Sequence, residues 1–349
     1  MLKVFIQQAK IPKYRIDIFN LLSKRYCLTV IHEGPIISKK IANFNQIIKK
    51  RYTVGPFFYQ NFFNLVDRAD ILITEANLRY LFNNLILAFF PRKYKWISWG
   101  IGLSASYKNK FDSNNQFDFF RYLFFGRSDA LLFYSSYPVK KYKSAGILQH
   151  KLFVAHNTIS NKCDFSKNRN YFVFIGSLHK GKGLLDLVKE YNFALKSSGN
   201  KLPPLIIIGG GQMKNDLKSL IKKEKIKTKV KLYGYIFDKN KLNKLISKAL
   251  FSVSPKQAGL SVLHSMSCGV AFVTSKNAIT GGEIFNINSK NGILINDIKQ
   301  LRDIFLDAYK NQKKYILIGK NAYNFYYKNR SLNIMANGFL DAINYVCKV

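Results

Sequence analysis

Glycines and lysines that follow a hydrophobic run in the second half of the chain are well suited to binding a phosphate. The run NYFVFIG leads into GSLHKGKG, residues 176–183, directly before a helix-like segment that begins near Leu184. Glycines let backbone amides approach a phosphate, and a helix amino terminus adds positive potential there. Lys180 or Lys182 can neutralise the remaining charge. The pattern predicts a diphosphate site with Lys182 as its clamp, against the alternative that Lys182 is one more solvated lysine.

Two further strand ends carry residues of the same kind. LIIIG runs into Gly209-Gly210-Gly211, although glycine is common at any tight turn and this signal is weak by itself. The third, FSVSPKQAGLSVLHSMSCGVAFVTS, passes through a Ser254-Pro255 turn and a loop into a helix predicted to begin near Gly259. Downstream, Glu283 follows a glycine pair and either bonds hydroxyls of a ligand or simply occupies a helix amino terminus, where a carboxylate is favoured.

The elements that position these residues follow a β-α-β rhythm. Short β-rich runs alternate with helix-like segments, pause in the polar stretch 158–169, and then restart. This rhythm is typical of parallel sheets covered on both faces, which bind ligands beyond the carboxyl ends of their strands. At 349 residues the chain is long enough for two such domains. We predict domains at 1–160 and 161–325, and a terminal helix at 326–349 that packs back on the first domain.

Composition restricts where the protein works. The chain holds 56 Lys and Arg against 19 Asp and Glu, a net charge of +37, which calls for an anionic partner or surface. Its four cysteines show no paired metal-ligand spacing, so we expect no metal site and a reducing cytosol. The amino terminus is interpreted as a first strand, not a signal peptide. The longest apolar run, Leu85 to Phe90, is far below the roughly 18 residues of a membrane span.

The ordered set of motifs between about residues 170 and 296 resembles the carboxyl-terminal half of retaining glycosyltransferase family 4, the group 1 glycosyl transferases. The segments that carry the resemblance are GSLHKGKG, IIIGGGQ, YGYI, SPKQAGLSVLHSMSCGV, GGEIF and NGILI. The first half is similar more loosely, through IPKYRIDIFNLL, WGIG, RSDALLFYSS and VAHNTI. The resemblance implies the α/β GT-B fold, in which two doubly wound Rossmann-like domains face a central cleft. It also implies transfer from a UDP- or GDP-linked sugar with retention of configuration, without metal or other cofactor.

The sequence departs from the family pattern at several positions. Lys256 and His264 stand where the family has paired glutamates, Ser177 replaces an arginine, and Ile101 replaces a histidine. Some bacterial surface-polysaccharide transferases of the family have histidine at the second position, so we interpret the change as a subfamily trait; an inactive paralogue is the alternative. The family's second glutamate is expected to hold ribose hydroxyls, which a histidine ring nitrogen can also bind.

Carried over residue by residue, the resemblance assigns three groups of site residues, each of which is otherwise an ordinary core or surface position. The catalytic set is Lys182, His264 and Glu283. The donor-binding set is Gly176, Ser177, Lys180, Gly210, Gly211, Tyr233, Ser254, Lys256, Gly259 and Leu260. The acceptor-side set is Lys13, Tyr14, Arg15, Trp99 and Gly100.

The expected acceptor is a lipid-linked glycan of bacterial surface polysaccharide or lipopolysaccharide synthesis, reached at the inner face of the cell membrane. Arg79, Arg92, Lys93 and Lys95 flank the apolar run 85–90 and can attract an anionic lipid surface. A buried helix beside a basic loop is the alternative. Two other functions are compatible with parts of the sequence. A nucleotide-sugar epimerase shares the fold, and +37 suits nucleic-acid binding, although no basic helix or zinc finger supports the latter.

Overall fold

The computed structural model describes residues 1–105, 111–112 and 116–349. Mutual contacts group the chain into two compact units. The first unit comprises Met1–Ala105, Phe111–Ser160 and Arg330–Val349, and the second comprises Asn161–Asn329. Each unit is built around its own parallel sheet.

The first unit holds a seven-stranded parallel sheet in the order β3-β2-β1-β6-β7-β8-β9, with a separate antiparallel β4-β5 hairpin. Its strands are β1 Lys3–Gln7, β2 Cys27–His32, β3 Asn45–Ile48, β4 Arg51–Val54, β5 Phe57–Gln60, β6 Ile71–Glu75, β7 Lys95–Gly100, β8 Ala130–Phe133 and β9 Leu152–Val154. Its helices are α1 Lys13–Ser23, α2 Phe63–Val66, α3 Leu81–Phe89, α4 Asp118–Phe125 and α5 Tyr137–Ser144. The central strands are almost entirely buried because helices cover both faces of the sheet.

The stretch 33–68 contains elements that the sequence did not predict. β3, β4 and β5 are only four residues each, and β4 exposes most of its side chains. Strands this short and this exposed need no apolar alternation, so they leave no periodic signal in the sequence.

The second unit holds a six-stranded parallel sheet in the order β12-β11-β10-β13-β15-β17 and a small parallel β14-β16 pair. Its strands are β10 Tyr171–Ile175, β11 Leu205–Ile208, β12 Val230–Gly234, β13 Ala249–Val253, β14 Gln257–Ala258, β15 Ala271–Ser275, β16 Ile279–Thr280 and β17 Gly292–Ile295. Its helices are α6 Leu184–Ser197, α7 Lys214–Lys223, α8 Lys239–Ser247, α9 Ser261–Ser267, α10 Leu301–Lys310 and α11 Gln312–Asn329. The helix expected near Gly259 thus begins two residues later, at Ser261, and residues 326–329 form the end of α11.

The last helix, α12 Leu332–Lys348, belongs to the first unit. It crosses so close to β9 that a Cβ on Gly338 would lie 2.2 Å from the Val154 carbonyl oxygen. Phe339 packs against Trp99 with ring centroids 4.7 Å apart. Among the described residues, no helix combines the length and the apolar composition that crossing a membrane requires.

Candidate functional site

The two glycine turns of the second unit interlock at the ends of neighbouring strands. β10 and β11 pair in parallel, and beyond them the Leu178 amide donates to the Gly210 carbonyl oxygen over 2.9 Å. A Cβ on Gly209 would lie 1.8 Å from the Gly176 carbonyl oxygen, and one on Gly211 would lie 2.5 Å from that of Leu178. The φ angles of Gly209 and Gly211, 138° and 150°, are also ones that other residues avoid. The predicted turns are therefore one compact backbone structure at the carboxyl end of the sheet.

Lys182 lies directly beside this structure. Its side chain passes under Gly176, where a Cβ would be 3.3 Å from the Lys182 Nζ. The residue is only 7% exposed, and burial lowers the pKa of its ammonium group. Within the part of the chain that the structure describes, Lys182 forms no salt bridge. A buried ammonium without a carboxylate partner, next to a glycine turn and the start of α6, has the charge and the position to hold an anion.

Ser177, Lys180 and Lys256 were also predicted to bind the donor, but they are less buried than Lys182. Ser177 and Lys180 are exposed on the same turn. Lys256 packs over Gly183, the residue before α6, where a Cβ would be 3.0 Å from its Cδ. Its Nζ forms a salt bridge of 2.6 Å with Asp186. Lys256 therefore reaches the same turn, but Asp186 already balances its charge.

Ser254, Gly259 and Leu260 lie on the connection between β13 and α9. The Ser254 hydroxyl is buried and has no hydrogen-bond partner within the described chain, a polar group available to a ligand. Gly259 has open space around its Cα. Leu260 is the half-buried residue that precedes α9. All three thus lie along one strand-loop-helix connection.

His264, on α9, contacts a buried polar network. Its Nε2 lies 2.9 Å from Asn243 Oδ1. The Asn243 amide nitrogen donates to Asn161 Oδ1 and to the Lys162 carbonyl oxygen, so its oxygen faces the histidine and Nε2 carries the proton. Burial lowers the pKa of His264 to about 4, and the ring is therefore neutral at pH 7. Nδ1 remains as the nitrogen that can accept a hydrogen bond from a ligand.

Glu283 begins a short 3₁₀ helix, Glu283–Asn286, after β16. Its carboxylate accepts a hydrogen bond of 2.9 Å from the Gly281 amide and a longer one of 3.4 Å from the Thr280 hydroxyl. It is 8% exposed. The carboxylate thus organises its own turn, a role the sequence analysis considered beside hydroxyl binding.

Tyr233 and its neighbour Tyr235 differ in their relation to the glycine turn. Tyr233 lies on β12 and is 45% exposed. Tyr235, which the sequence analysis did not select, covers Gly210: its hydroxyl donates to the Gly210 carbonyl oxygen over 3.0 Å. A Cβ on Gly210 would lie 2.2 Å from the Tyr235 ring. The second tyrosine of the YGYI motif was the available signal for this residue.

In the first unit, three of the predicted acceptor-side residues come together. The Arg15 guanidinium carbon lies 4.2 Å from the Trp99 ring centroid and 5.2 Å from that of Tyr14. Tyr134, which the sequence analysis did not select, completes the group at 4.7 Å. Lys13 is exposed. Gly100 is buried at the end of β7 beside Ala76, with no room for a side chain.

Similarity to known proteins agrees with this architecture. Residues 156–325 match the family model described as glycosyl transferases group 1. This chain is a glycosyltransferase. A glycosyltransferase from Rickettsia africae superposes with a TM-score of 0.75 at 15% identity, covering 99% of each chain. Anabaena HepE in complex with UDP and glucose superposes with a TM-score of 0.71 at 14% identity, covering 99% of this chain and 100% of HepE.

A third structure, the lipopolysaccharide outer core galactosyltransferase WaaB, has a TM-score of 0.67 at 15% identity and full coverage of both chains. No curated protein sequence is significantly similar to this one. The fold predicted from the sequence, an α/β GT-B fold with two doubly wound Rossmann-like sheets, is confirmed.

The glycosyltransferase also exposes an aromatic surface on its first unit, formed by α3 and α4. On α3 and just after it, the exposed residues are Phe82, Leu85, Phe89 and Phe90. On α4 and just before it, they are Phe117, Phe119 and Phe120. Ring contacts from Phe89 to Phe124 and from Phe124 to Phe120 join the two helices. We call these seven exposed residues the aromatic surface.

The basic residues predicted to flank this segment are not equivalent. Arg79 and Lys93 are exposed, and Lys95 is half-buried at the start of β7. Arg92 instead donates to the Leu87 carbonyl oxygen and forms a salt bridge of 3.0 Å with Asp129. Arg92 therefore holds the α3-β7 connection in place. No cluster of three metal-binding side chains occurs within residues 1–105, 111–112 and 116–349.

Proposed function

We propose that this glycosyltransferase transfers a sugar from a UDP- or GDP-linked donor to a lipid-linked glycan in surface polysaccharide or lipopolysaccharide synthesis. The observation that carries the donor class is Lys182, a buried ammonium without a carboxylate partner in the described chain, beside two interlocked glycine turns. HepE, which has the same fold, is known in complex with UDP and glucose. The donor's diphosphate lies against Gly176 to Gly183, and Tyr235, Ser254 and His264 face the rest of the nucleotide sugar.

The proposed chemistry follows from the charge that develops on the leaving group. When the bond between sugar and phosphate breaks, negative charge grows on the departing diphosphate. Lys182, the amides of the glycine turn and the amino terminus of α6 are fixed in place and stabilise that charge without reorganisation. These groups supply the charge that a metal ion would otherwise supply, so we propose a metal-independent reaction. Retention of configuration, with the leaving phosphate accepting the acceptor's proton, is proposed from the family 4 resemblance, including the subfamily with histidine at position 264.

The aromatic surface supports a lipid-linked acceptor and a peripheral position on the inner face of the cell membrane. Phenylalanines that are 41% to 66% exposed lose unfavourable contact with water when they enter a lipid interface. The nearby exposed cations Arg79 and Lys93 each add about 1 kcal/mol at an anionic surface. WaaB acts on the lipopolysaccharide outer core, which is the kind of acceptor proposed here.

Binding of nucleoside diphosphates to the purified protein tests the donor site. UDP or GDP should raise the melting temperature in the presence of a chelator. Lys182→Ala should weaken this binding by about 1 to 3 kcal/mol, the range for removing one partner of a charged hydrogen bond. Lys189→Ala, which removes an exposed lysine of α6, is the matched control and should bind normally. Equal binding by both variants would place the diphosphate elsewhere on the protein.

A further inference from the structure

Arg15 is a buried arginine that forms no salt bridge within the described chain. It is 2% exposed in the first turn of α1. Nη1 is buried and has no hydrogen-bond partner, and no salt bridge involves Arg15 in the described part of the chain. Arg15 is therefore a buried guanidinium whose Nη1 no oxygen of the described chain contacts.

A second buried arginine, Arg169, provides a comparison because every nitrogen of its guanidinium is hydrogen-bonded to the backbone. Arg169, 4% exposed, donates to three backbone carbonyl oxygens: those of Ser166 at 3.0 Å, Ala249 at 2.9 Å and Gly269 at 2.6 Å. Arg15 has only the faces of Trp99, Tyr14 and Tyr134. Aromatic faces stabilise a cation, but they accept none of the five N–H groups as an oxygen would. Arg15 therefore keeps its hydrogen-bonding capacity for a ligand.

The surroundings of Arg15 restrict how a ligand can approach it. Trp99 is completely buried and forms the floor, whereas Tyr14 and Tyr134 are half-buried walls. The Glu75 carboxylate, at the end of β6, interacts with Arg15 through charge, and the described residues include no salt bridge between them. The Arg15 guanidinium presents a buried Nη1 that no oxygen of the described chain contacts, and a planar pair of oxygens matches two parallel N–H groups of a guanidinium.

We propose that Arg15 binds an oxyanion, a phosphate or a carboxylate, that the acceptor carries. This proposal rests on the proposed function, because it concerns the acceptor side of that reaction. It adds a requirement to the acceptor: beside the hydroxyl that receives the sugar, it must hold a negatively charged group with at least two terminal oxygens. Arg15 is thus an acceptor-binding residue that selects charged acceptors over neutral ones.

The two tryptophans of the chain, Trp96 and Trp99, make a direct binding experiment possible. The Trp96 indole nitrogen donates to the Thr74 hydroxyl over 2.8 Å, whereas the Trp99 indole lies beside Arg15. Methyl phosphate and acetate are titrated into ¹⁵N-tryptophan protein that carries Lys182→Ala, which removes the anion site of the second unit. We expect one or both anions to shift the Trp99 indole resonance saturably and to leave Trp96 in place. A larger response to methyl phosphate identifies a phosphate group, and a larger response to acetate a carboxylate.

Variants separate an acceptor-binding role from a structural one. Arg15→Met should abolish the Trp99 shift and keep the melting temperature close to that of the wild type, because it removes a cation that no oxygen contacts and keeps an apolar side chain against the three rings. Arg169→Met, the matched control, should lower the melting temperature by about 4 °C or more because three carbonyl oxygens lose their donor. Arg15→Lys keeps the positive charge but lacks the two parallel N–H groups of a guanidinium. It should weaken anion binding, measured from the Trp99 shift, by roughly tenfold.

Three results would overturn the proposal: no Trp99 shift with either anion, an unchanged shift in Arg15→Met, or destabilisation of Arg15→Met as large as that of Arg169→Met. The donor site is scored separately, through stabilisation by UDP or GDP in protein with Lys182 intact. A Trp99 shift without nucleotide binding would contradict the proposed function alone. Nucleotide binding without a Trp99 shift would contradict only the role of Arg15.

Discussion

At the scale of single residues, pairing decides which charged side chains of this protein can act on a ligand. Lys182 and Lys256 reach the same turn before α6, yet Lys256 is neutralised by Asp186 and Lys182 is not. One ring nitrogen of His264 is likewise already paired, since Nε2 donates a hydrogen bond to Asn243 Oδ1. Nδ1 remains available to a ligand. The residue types are thus less informative than the partners that the fold provides for them.

His264 carries a prediction that follows from this division of its two nitrogens. His264→Ala removes the hydrogen bond from Nε2 to Asn243 Oδ1. It also removes Nδ1, which can accept a hydrogen bond from the nucleotide sugar. The Michaelis constant for the nucleotide sugar should therefore rise. His264→Gln restores one donor and one acceptor and should retain part of the activity. His150→Ala, at an exposed histidine of the first unit, serves as the control in steady-state kinetics. Full activity in both His264 variants would make the residue purely structural.

At the scale of elements, the site depends on how closely the ends of β10 and β11 approach each other. The 1.8 Å separation between a Cβ on Gly209 and the Gly176 carbonyl oxygen leaves no room for any side chain. Across this approach, the Leu178 amide of one turn donates to the Gly210 carbonyl oxygen of the other. The proposed phosphate-binding structure is therefore a property of the strand pair, and neither turn forms it alone.

Substitution of Gly209 tests this dependence. Gly209→Ala forces the two turns apart and should lower the free energy of unfolding by about 2 kcal/mol or more, together with a loss of nucleotide binding. Gly259→Ala is the matched control, because a Cβ there meets no atom within 4 Å, and its thermal unfolding should be close to that of the wild type. Similar melting temperatures for the two variants would mean that the turns do not depend on each other.

At the scale of the whole molecule, the net charge of +37 and the aromatic surface both suit the proposed lipid surface. An anionic bilayer attracts a basic protein over a distance that salt shortens, and exposed apolar side chains strengthen contact with a lipid interface. Either property alone is compatible with other functions. Together they favour a lipid surface.

Co-flotation with liposomes measures both contributions. The protein should float with acidic liposomes at low salt and much less with neutral ones. Replacing Phe119 and Phe120 by serine should weaken binding by about thirtyfold or more, because burial of each ring contributes on the order of 1 to 2 kcal/mol even when incomplete. Phe193→Ser removes one exposed ring, 51%, from the second unit and should have no effect. Failure of the wild type to bind acidic liposomes at low salt would favour a soluble acceptor.

The sequence by itself determined the features that depend on neighbouring residues. Alternating β and α segments predicted two doubly wound sheets, and the glycine-lysine run after β10 predicted a phosphate-binding turn. Both are local, because a strand, a turn and a helix start follow one another within about twenty residues. Tyr235 could have been predicted in the same way, since it lies in the YGYI motif two residues after Tyr233.

Only the tertiary structure decided which side chains are paired, buried or exposed. Asp186 lies 70 residues from Lys256, and Trp99 and Tyr134 lie far along the chain from Arg15. Phe119 and Phe120 resemble core residues in the sequence, and the packing of α4 leaves them in water. These outcomes depend on contacts between distant segments, and local propensity contains no information about such contacts. For that reason the lysine turn and the apolar run 85–90 were predictable, whereas the lack of an oxygen partner for Arg15 and the exposure of Phe119 and Phe120 were not.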